Sequence, residues 1–165
     1  MSAETERLQT AQWVLERNLA WIAAAEVKVG VIVAIDTAML GGLGAAFSAA
    51  VGAVRTQWAW LFTIAATICL GVGLFCAAMA VLPRVTGPAQ SLLFFGRVGP
   101  CADVEYIEAF KKVTHADLLE DWMTQIHRNA QIACDKFAWV RKSMLWSFLS
   151  VLPWFPAIIT LVQNK

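Results

Sequence analysis

Few side chains in this 165-residue sequence stand where they could do chemistry, and they fall into three sets. The first is Asp36, the one ionisable group deep inside a long apolar run. A carboxyl there is expensive in lipid, so it must face protein or water. It reads either as a pore or gating residue or as a hydrogen-bonded structural residue, since it lies two helical turns past Lys28. The second set is Gln125, Asn129 and Lys136. Their separations of four and seven put them on one side of a helix, off the apolar seam, as Asp121 and Arg128 also are. They form either a solvated face or a small-ligand site between their own helix, the N-terminal helix and an irregular loop over 84–97. The third set is His115 and Asp117, which superficially resemble a His-Asp metal pair. One residue separates them, His127 is twelve positions away, and no second histidine cluster completes a hydrolase site. His115 reads as an exposed first-turn residue, with a membrane-anchored hydrolase as the rival.

The remaining chemistry is sparse. The four cysteines, Cys69, Cys76, Cys101 and Cys134, show no CxxC and no Cys/His cluster, so neither a disulfide framework nor a metal site is expected. No glycine-rich phosphate loop follows a strand, and no nucleophile elbow occurs. The expectation is a protein that is not an enzyme and holds no resident cofactor.

The elements that must position these residues are set by hydropathy. Apolar runs cover 29–54, 58–82 and 144–162, and the first two carry at most one charge each. A helix of about 20 residues crosses a bilayer's hydrocarbon core. A soluble chain of this length has no core able to hide two such helices, so the fold class is an all-α membrane protein with three predicted transmembrane helices. Hydrophobic residues make up 59% and charged residues 15%, with 13 basic and 12 acidic side chains. That balance gives no reason to expect nucleic acid as a partner. Basic residues concentrate before the first span (Arg7, Arg17, Lys28) and in 84–142, which predicts that both segments are cytoplasmic. Only Arg55 lies in the turn between the first two spans, and only Lys165 follows the third. Trp58 and Trp60 suit the outer interface. The chain thus divides into a cytoplasmic amphipathic helix over 1–28, a transmembrane hairpin over 29–82, a cytoplasmic helical segment over 83–143 and a third span over 144–162.

Within the first span Ala34, Ala38, Gly42, Ala46 and Ala50 repeat every four residues, with Gly41, Ala45, Ala49 and Ala53 beside them. Small residues let helices approach closely in lipid. The stripe predicts packing on the second span or, more strongly, a homo-oligomer, with Asp36, Ala38, Gly42 and Ala46 as the oligomer and pore set. No glycine or proline precedes Gly30, so the N-terminal helix should run unbroken into the membrane. After Pro83 the breakers Gly87-Pro88 and Gly99-Pro100 imply an irregular stretch. Asp103 can cap a short helix reaching Lys112. Thr114-x-x-Asp117 then reads as a variant capping box. It opens a long helix with a heptad seam of Leu119, Met123, Ile126, Ala130, Ala133, Phe137 and Val140, running without a breaker into the third span. Pro153 and Pro156 there make a kinked, mobile or re-entrant element an alternative to a plain span.

A resemblance covers nearly the whole chain. Glu26-Val27-Lys28-Val29-Gly30 at the start of the first span is similar to the acidic-x-Lys-x-Gly pattern of the Pycsar effector transmembrane family. Pro83 at the hairpin's exit, the Phe-Gly signature at Leu93-Phe94-Phe95-Gly96, the stretch Asp103-Val104-Glu105-Tyr106, and the helix carrying Gln125-Ile126, Asn129, Ile132-Ala133 and Lys136 follow in the family's order. Two departures are mild: Glu26 stands where Asp is usual, and Val29 where Ala is usual. The resemblance implies a membrane effector of bacterial antiphage defence. A partner cyclase would make a cyclic pyrimidine mononucleotide, cyclic CMP or cyclic UMP. The effector would sense it and impair the inner membrane, causing abortive infection. Such a ligand needs basic and amide donors for its phosphate, for which Lys28, Arg84, Arg97, Gln125, Asn129 and Lys136 are candidates. Tyr106 or Trp122 could stack the base. The rivals are a larger cyclic oligonucleotide as ligand and a ligand-independent oligomeric channel or scaffold.

Overall fold

The structure is a computed structural model that describes residues 3–50 and 56–162. Ala53, Arg55 and Lys165, used above for the second stripe and for topology, lie outside the described residues. Five helices and no strand occur among those described: α1 (Ala3–Ala49), α2 (Gln57–Val81), α3 (Phe95–Val98), α4 (Asp103–Lys112) and α5 (His115–Val162). α1, α2 and α5 are each long and apolar enough to cross a membrane.

Local sequence explains the boundaries. α1 is continuous past Gly30, as the absence of earlier breakers predicts. Thr56 caps α2, its hydroxyl accepting from the Ala59 N–H at 3.3 Å. The Thr114–Asp117 box forms: the Asp117 N–H donates to the Thr114 hydroxyl oxygen at 3.2 Å, and the Thr114 N–H donates to Asp117 Oδ2 at 2.9 Å. α4 departs from expectation. Its cap is Ala102, with no side-chain capping bond, and Asp103 is the first helical residue. There its charge, with Glu105, lies in the first turn facing the helix's positive end. α5 runs through Pro153 and Pro156 without a break, so the third apolar run is the end of one 48-residue helix.

The chain forms two compact units. Unit 1 comprises Met1–Ala24 and Pro83–Asp135, and unit 2 comprises Ala25–Leu82 and Lys136–Lys165, so α1 and α5 contribute to both. In unit 1 the Asn18 amide donates to the Ile126 carbonyl at 3.1 Å, tying α1 to α5. In unit 2 one apolar cluster joins Ala25, Val29 and Ile32 of α1 to Ala77 and Ala80 of α2 and Val140 of α5. A second joins Leu43 and Ala50 to Ala59, Ala66, Ala157 and Leu161.

The buried line of α5 is not the apolar heptad alone. Met123 of the expected seam is 53% exposed, whereas Gln125 and Lys136, expected to stand off it, are only 5% and 4% exposed. Ser143 and Ser150 are also buried. Gln125, Lys136 and Ser143 take this line because each finds a partner on a neighbouring segment, and Ser150 donates to the Ser147 carbonyl of its own helix, which offsets the cost of burying them.

Candidate functional site

In unit 1 the polar residues of α5 mould the loop between α2 and α4. The Gln125 amide donates to the buried Ser91 hydroxyl oxygen at 2.9 Å. The same oxygen accepts from the Leu93 and Phe94 N–H groups at 3.0 and 2.9 Å. Asp121 Oδ2 accepts from the Leu92 N–H at 2.8 Å. The Arg128 guanidinium donates to the Thr86 carbonyl at 2.9 Å and also to its hydroxyl. Arg84 bonds the Ile132 carbonyl at 3.3 Å and pairs with Asp135 at 3.1 Å. The Phe94 ring fits against two glycines: a Cβ added at Gly87 or Gly96 would stand 2.6 Å from it. Phe94 and Gly96 of the Phe-Gly signature therefore meet a packing requirement of this loop, whereas Phe95 is exposed.

Against the loop lies α4. The Tyr106 hydroxyl donates to the Leu92 carbonyl at 3.1 Å, and Arg97 pairs with Glu105 at 3.3 Å. The Cys101 side chain first, and Glu105 second, raise the Arg97 guanidinium above its ordinary range. Ser91, Leu92, Arg97, Cys101, Glu105 and Tyr106 line a cavity of about 40 Å³. Small-molecule pockets run to roughly 300–1,000 Å³, so the cavity admits no nucleotide as it stands. A neighbouring hollow of about 330 Å³ is lined by Asp117, Glu120 and Asp121, whose charge would repel a phosphate. At its edge the Thr114 hydroxyl and N–H hold the Asp117 carboxyl below its usual range.

The expected ligand residues thus do not form one cluster. Arg97 and Tyr106 line one cavity with Ser91, and Gln125 reaches it through the Ser91 hydroxyl. Asn129 instead donates to the Gln125 carbonyl of its own helix at 2.9 Å, and Arg84 is engaged by Asp135. Lys28 and Lys136 belong to unit 2. There Lys136 Nζ bonds Glu26 Oε1 and the Ala80 carbonyl, both at 2.9 Å, which joins all three long helices. Lys28 stands over the Phe137 ring at 5.2 Å.

Asp36 is fully buried in unit 2. The Ser147 hydroxyl donates to its Oδ2 at 2.8 Å, and Oδ1 has no partner among the described residues. Beside it the Ser143 hydroxyl donates to the Gly73 carbonyl at 2.8 Å. These groups make a polar seam across the apolar unit. Ala34, Ala38 and Gly42 are exposed in the single chain, while Ala46 and Ala50 pack into the second cluster. Sequence reasoning missed Ser91 and the Ser143–Ser147–Ser150 run. The spacing of the serines, three and four apart, was the available signal. Among the described residues no group of three metal-ligating side chains occurs.

Comparison with known proteins places this geometry in context. The model of the Pycsar effector protein domain matches residues 10–163. A relative, Pycsar effector protein PtPycTM of Propioniciclava tarda, is 26% identical over 160 residues, spanning 92% of this chain and 78% of the relative. No solved structure matches the chain.

Proposed function

The chain belongs to the Pycsar effector protein domain family, and on that premise we propose that it is a membrane effector of bacterial antiphage defence that senses a cyclic pyrimidine mononucleotide and impairs the inner membrane, causing abortive infection. The observation that carries this reading is the extent of the family match, over residues 10–163. It takes in the helical unit with its loop cavity as well as the three apolar helices. A partner cyclase supplies the ligand, which acts as a signal and not as a substrate. Unit 1 is the cytoplasmic sensor, and α1 enters the membrane from that side.

The sensing site is the cavity between the loop and α4. A ligand phosphate competes with Glu105 for Arg97, exchanging one charge-assisted hydrogen bond for another. Tyr106 leaves the Leu92 carbonyl to stack on the base. The cavity must open for either to happen. Binding therefore favours a state in which α4 has parted from the loop, and a ligand shifts the equilibrium only by its differential affinity for that state. Gln125 and Ser91 transmit the change to α5, the helix that continues into unit 2.

Calorimetry on the full-length chain in detergent tests the reading, with cyclic CMP, cyclic UMP, cyclic AMP and a cyclic dinucleotide as ligands. A cyclic pyrimidine mononucleotide should bind, and Arg97→Ala should weaken it about tenfold or more, the value of a hydrogen bond to a charged group. The same substitution should suppress dye entry into cells that make the ligand. Binding of none of these nucleotides, or equal binding by the variant, would sink the proposal. Reporters fused before α1 and after α5 should answer from opposite sides of the membrane. Both answering from the cytoplasm would make the proline-containing end of α5 a re-entrant element.

A further inference from the structure

One face of unit 2 combines features that neither nucleotide sensing nor helix packing uses. A groove of about 490 Å³ runs between α1 and α5, walled by Val31, Ile35, Met39, Phe148 and Val151 and headed by Lys28. A second cleft of about 260 Å³ also begins at Lys28, is headed by Arg141 as well, and shares Met144 and Phe148 with the first. Asp36 and Ser147 also line the larger groove, but Asp36 is fully buried, its Oδ2 taking the Ser147 hydroxyl and its Oδ1 having no partner among the described residues, so the accessible wall is formed by the apolar side chains. Among the described residues no carboxylate lies within ion-pairing distance of Lys28 or Arg141, and the nearby Glu26 is taken by Lys136. Two cations without a carboxylate partner thus line apolar clefts that share Lys28, Met144 and Phe148, within the part of the chain whose helices are apolar enough to span a membrane.

We propose that Lys28 and Arg141 hold the phosphate of an anionic diacyl phospholipid whose acyl chains occupy the two clefts. The cations provide charge complementarity to a phosphodiester, which carries one negative charge, and a zwitterionic headgroup offers them no net attraction. Each basic residue near an anionic headgroup contributes about fivefold to affinity. The clefts supply apolar walls of acyl character, and their shared head at Lys28 suits a ligand that is one charged group with two chains. The site lies in unit 2 and does not depend on the nucleotide reading of unit 1.

Native mass spectrometry of the full-length protein in detergent, with added phosphatidylglycerol or phosphatidylcholine of equal chain length, tests the proposal. Phosphatidylglycerol should be retained in preference to phosphatidylcholine, by about tenfold or more if both cations act. Lys28→Gln and Arg141→Gln should each reduce that preference about fivefold. Retention of phosphatidylcholine should be unchanged, and the helical circular dichroism should be that of the unsubstituted chain. Phe148→Ala, which removes a side chain that lines both clefts, should lower retention of both lipids. Equal retention of the two lipids by the unsubstituted protein would overturn the site. A full preference surviving in both cation variants would do the same. So would displacement of phosphatidylglycerol by free cyclic CMP, which would give the two cations to a soluble phosphate. Should Lys28→Gln fail to fold, Arg141→Gln alone decides, since Arg141 is exposed and pairs with no carboxylate.

Discussion

A single carboxylate shows how far one residue's role follows from its neighbours. Asp117 sits three positions after Thr114 and closes the start of α5, accepting both the N–H and the hydroxyl of Thr114. Those bonds favour its charged form and hold its folded pKa below the ordinary carboxylate value. A depressed folded pKa contributes stability that is present above the unfolded pKa and is lost as pH falls through the folded value. Asp117→Asn should therefore lower the melting temperature at neutral pH, with the gap to the unsubstituted chain closing in the acid range. Thermal scans by circular dichroism at several pH values measure it, and a gap independent of pH would deny the carboxylate its role. This contact was legible because it is local. Gln125 was not: its partner Ser91 lies 34 residues away. Lys136 bonds a carboxylate 110 positions away and a backbone carbonyl of α2. A spacing rule puts Gln125, Asn129 and Lys136 on one side of a helix. It cannot say that two of them are inside, because burial depends on what another segment offers.

Helix identity and extent follow from the sequence where hydropathy and breakers act, and fail where a cap is inferred from residue type alone. The apolar runs and the absence of early breakers predict α1, α2 and the membrane end of α5. Asp103, chosen as a cap for its side chain, is instead the first residue of α4. How closely the helices approach depends on single small residues. In α2, a Cβ added at Gly73 would stand 2.9 Å from Asp36 Oδ2 and 3.2 Å from Ser147 Oγ. Both neighbours belong to a buried hydrogen-bonded pair and cannot retreat without breaking it. Gly73→Ala should thus destabilise the chain by about 1–3 kcal/mol, as overpacking a tight contact does. Denaturant unfolding in detergent reads this out, with Gly71→Ala as the comparison, since a Cβ there meets nothing within 4 Å. Equal effects at the two glycines would mean that the loss is helix propensity or lipid contact, not crowding of Asp36.

At the scale of the molecule, the family match extends across both units, whereas the candidate sites divide between them. The membrane character was legible from composition. The dispersal of the candidate ligand residues over two units was not, because helical spacing says nothing of which helix lies opposite. The assembly expected from the α1 stripe would use its exposed part, since Ala34, Ala38 and Gly42 form a strip that the single chain does not cover. Ala38→Leu should disrupt close approach between copies and shorten the ladder seen on crosslinking in membranes. An unchanged ladder would leave that strip to lipid. The serine run of α5 carries a further consequence, for biosynthesis. Ser143, Ser147 and Ser150 put three hydroxyls on the inner face of the third apolar helix, beside Pro153 and Pro156. Alone in hydrocarbon it would present hydroxyls and two interrupted backbone bonds to lipid. By the time it leaves the ribosome, α1 and α2 are already made, and they carry Asp36, the Met39 carbonyl and the Gly73 carbonyl, which receive Ser147, Trp154 and Ser143. The hairpin thereby offers the third helix polar partners as it packs, so that recognition between protein segments adds to the partition of its apolar face into oil.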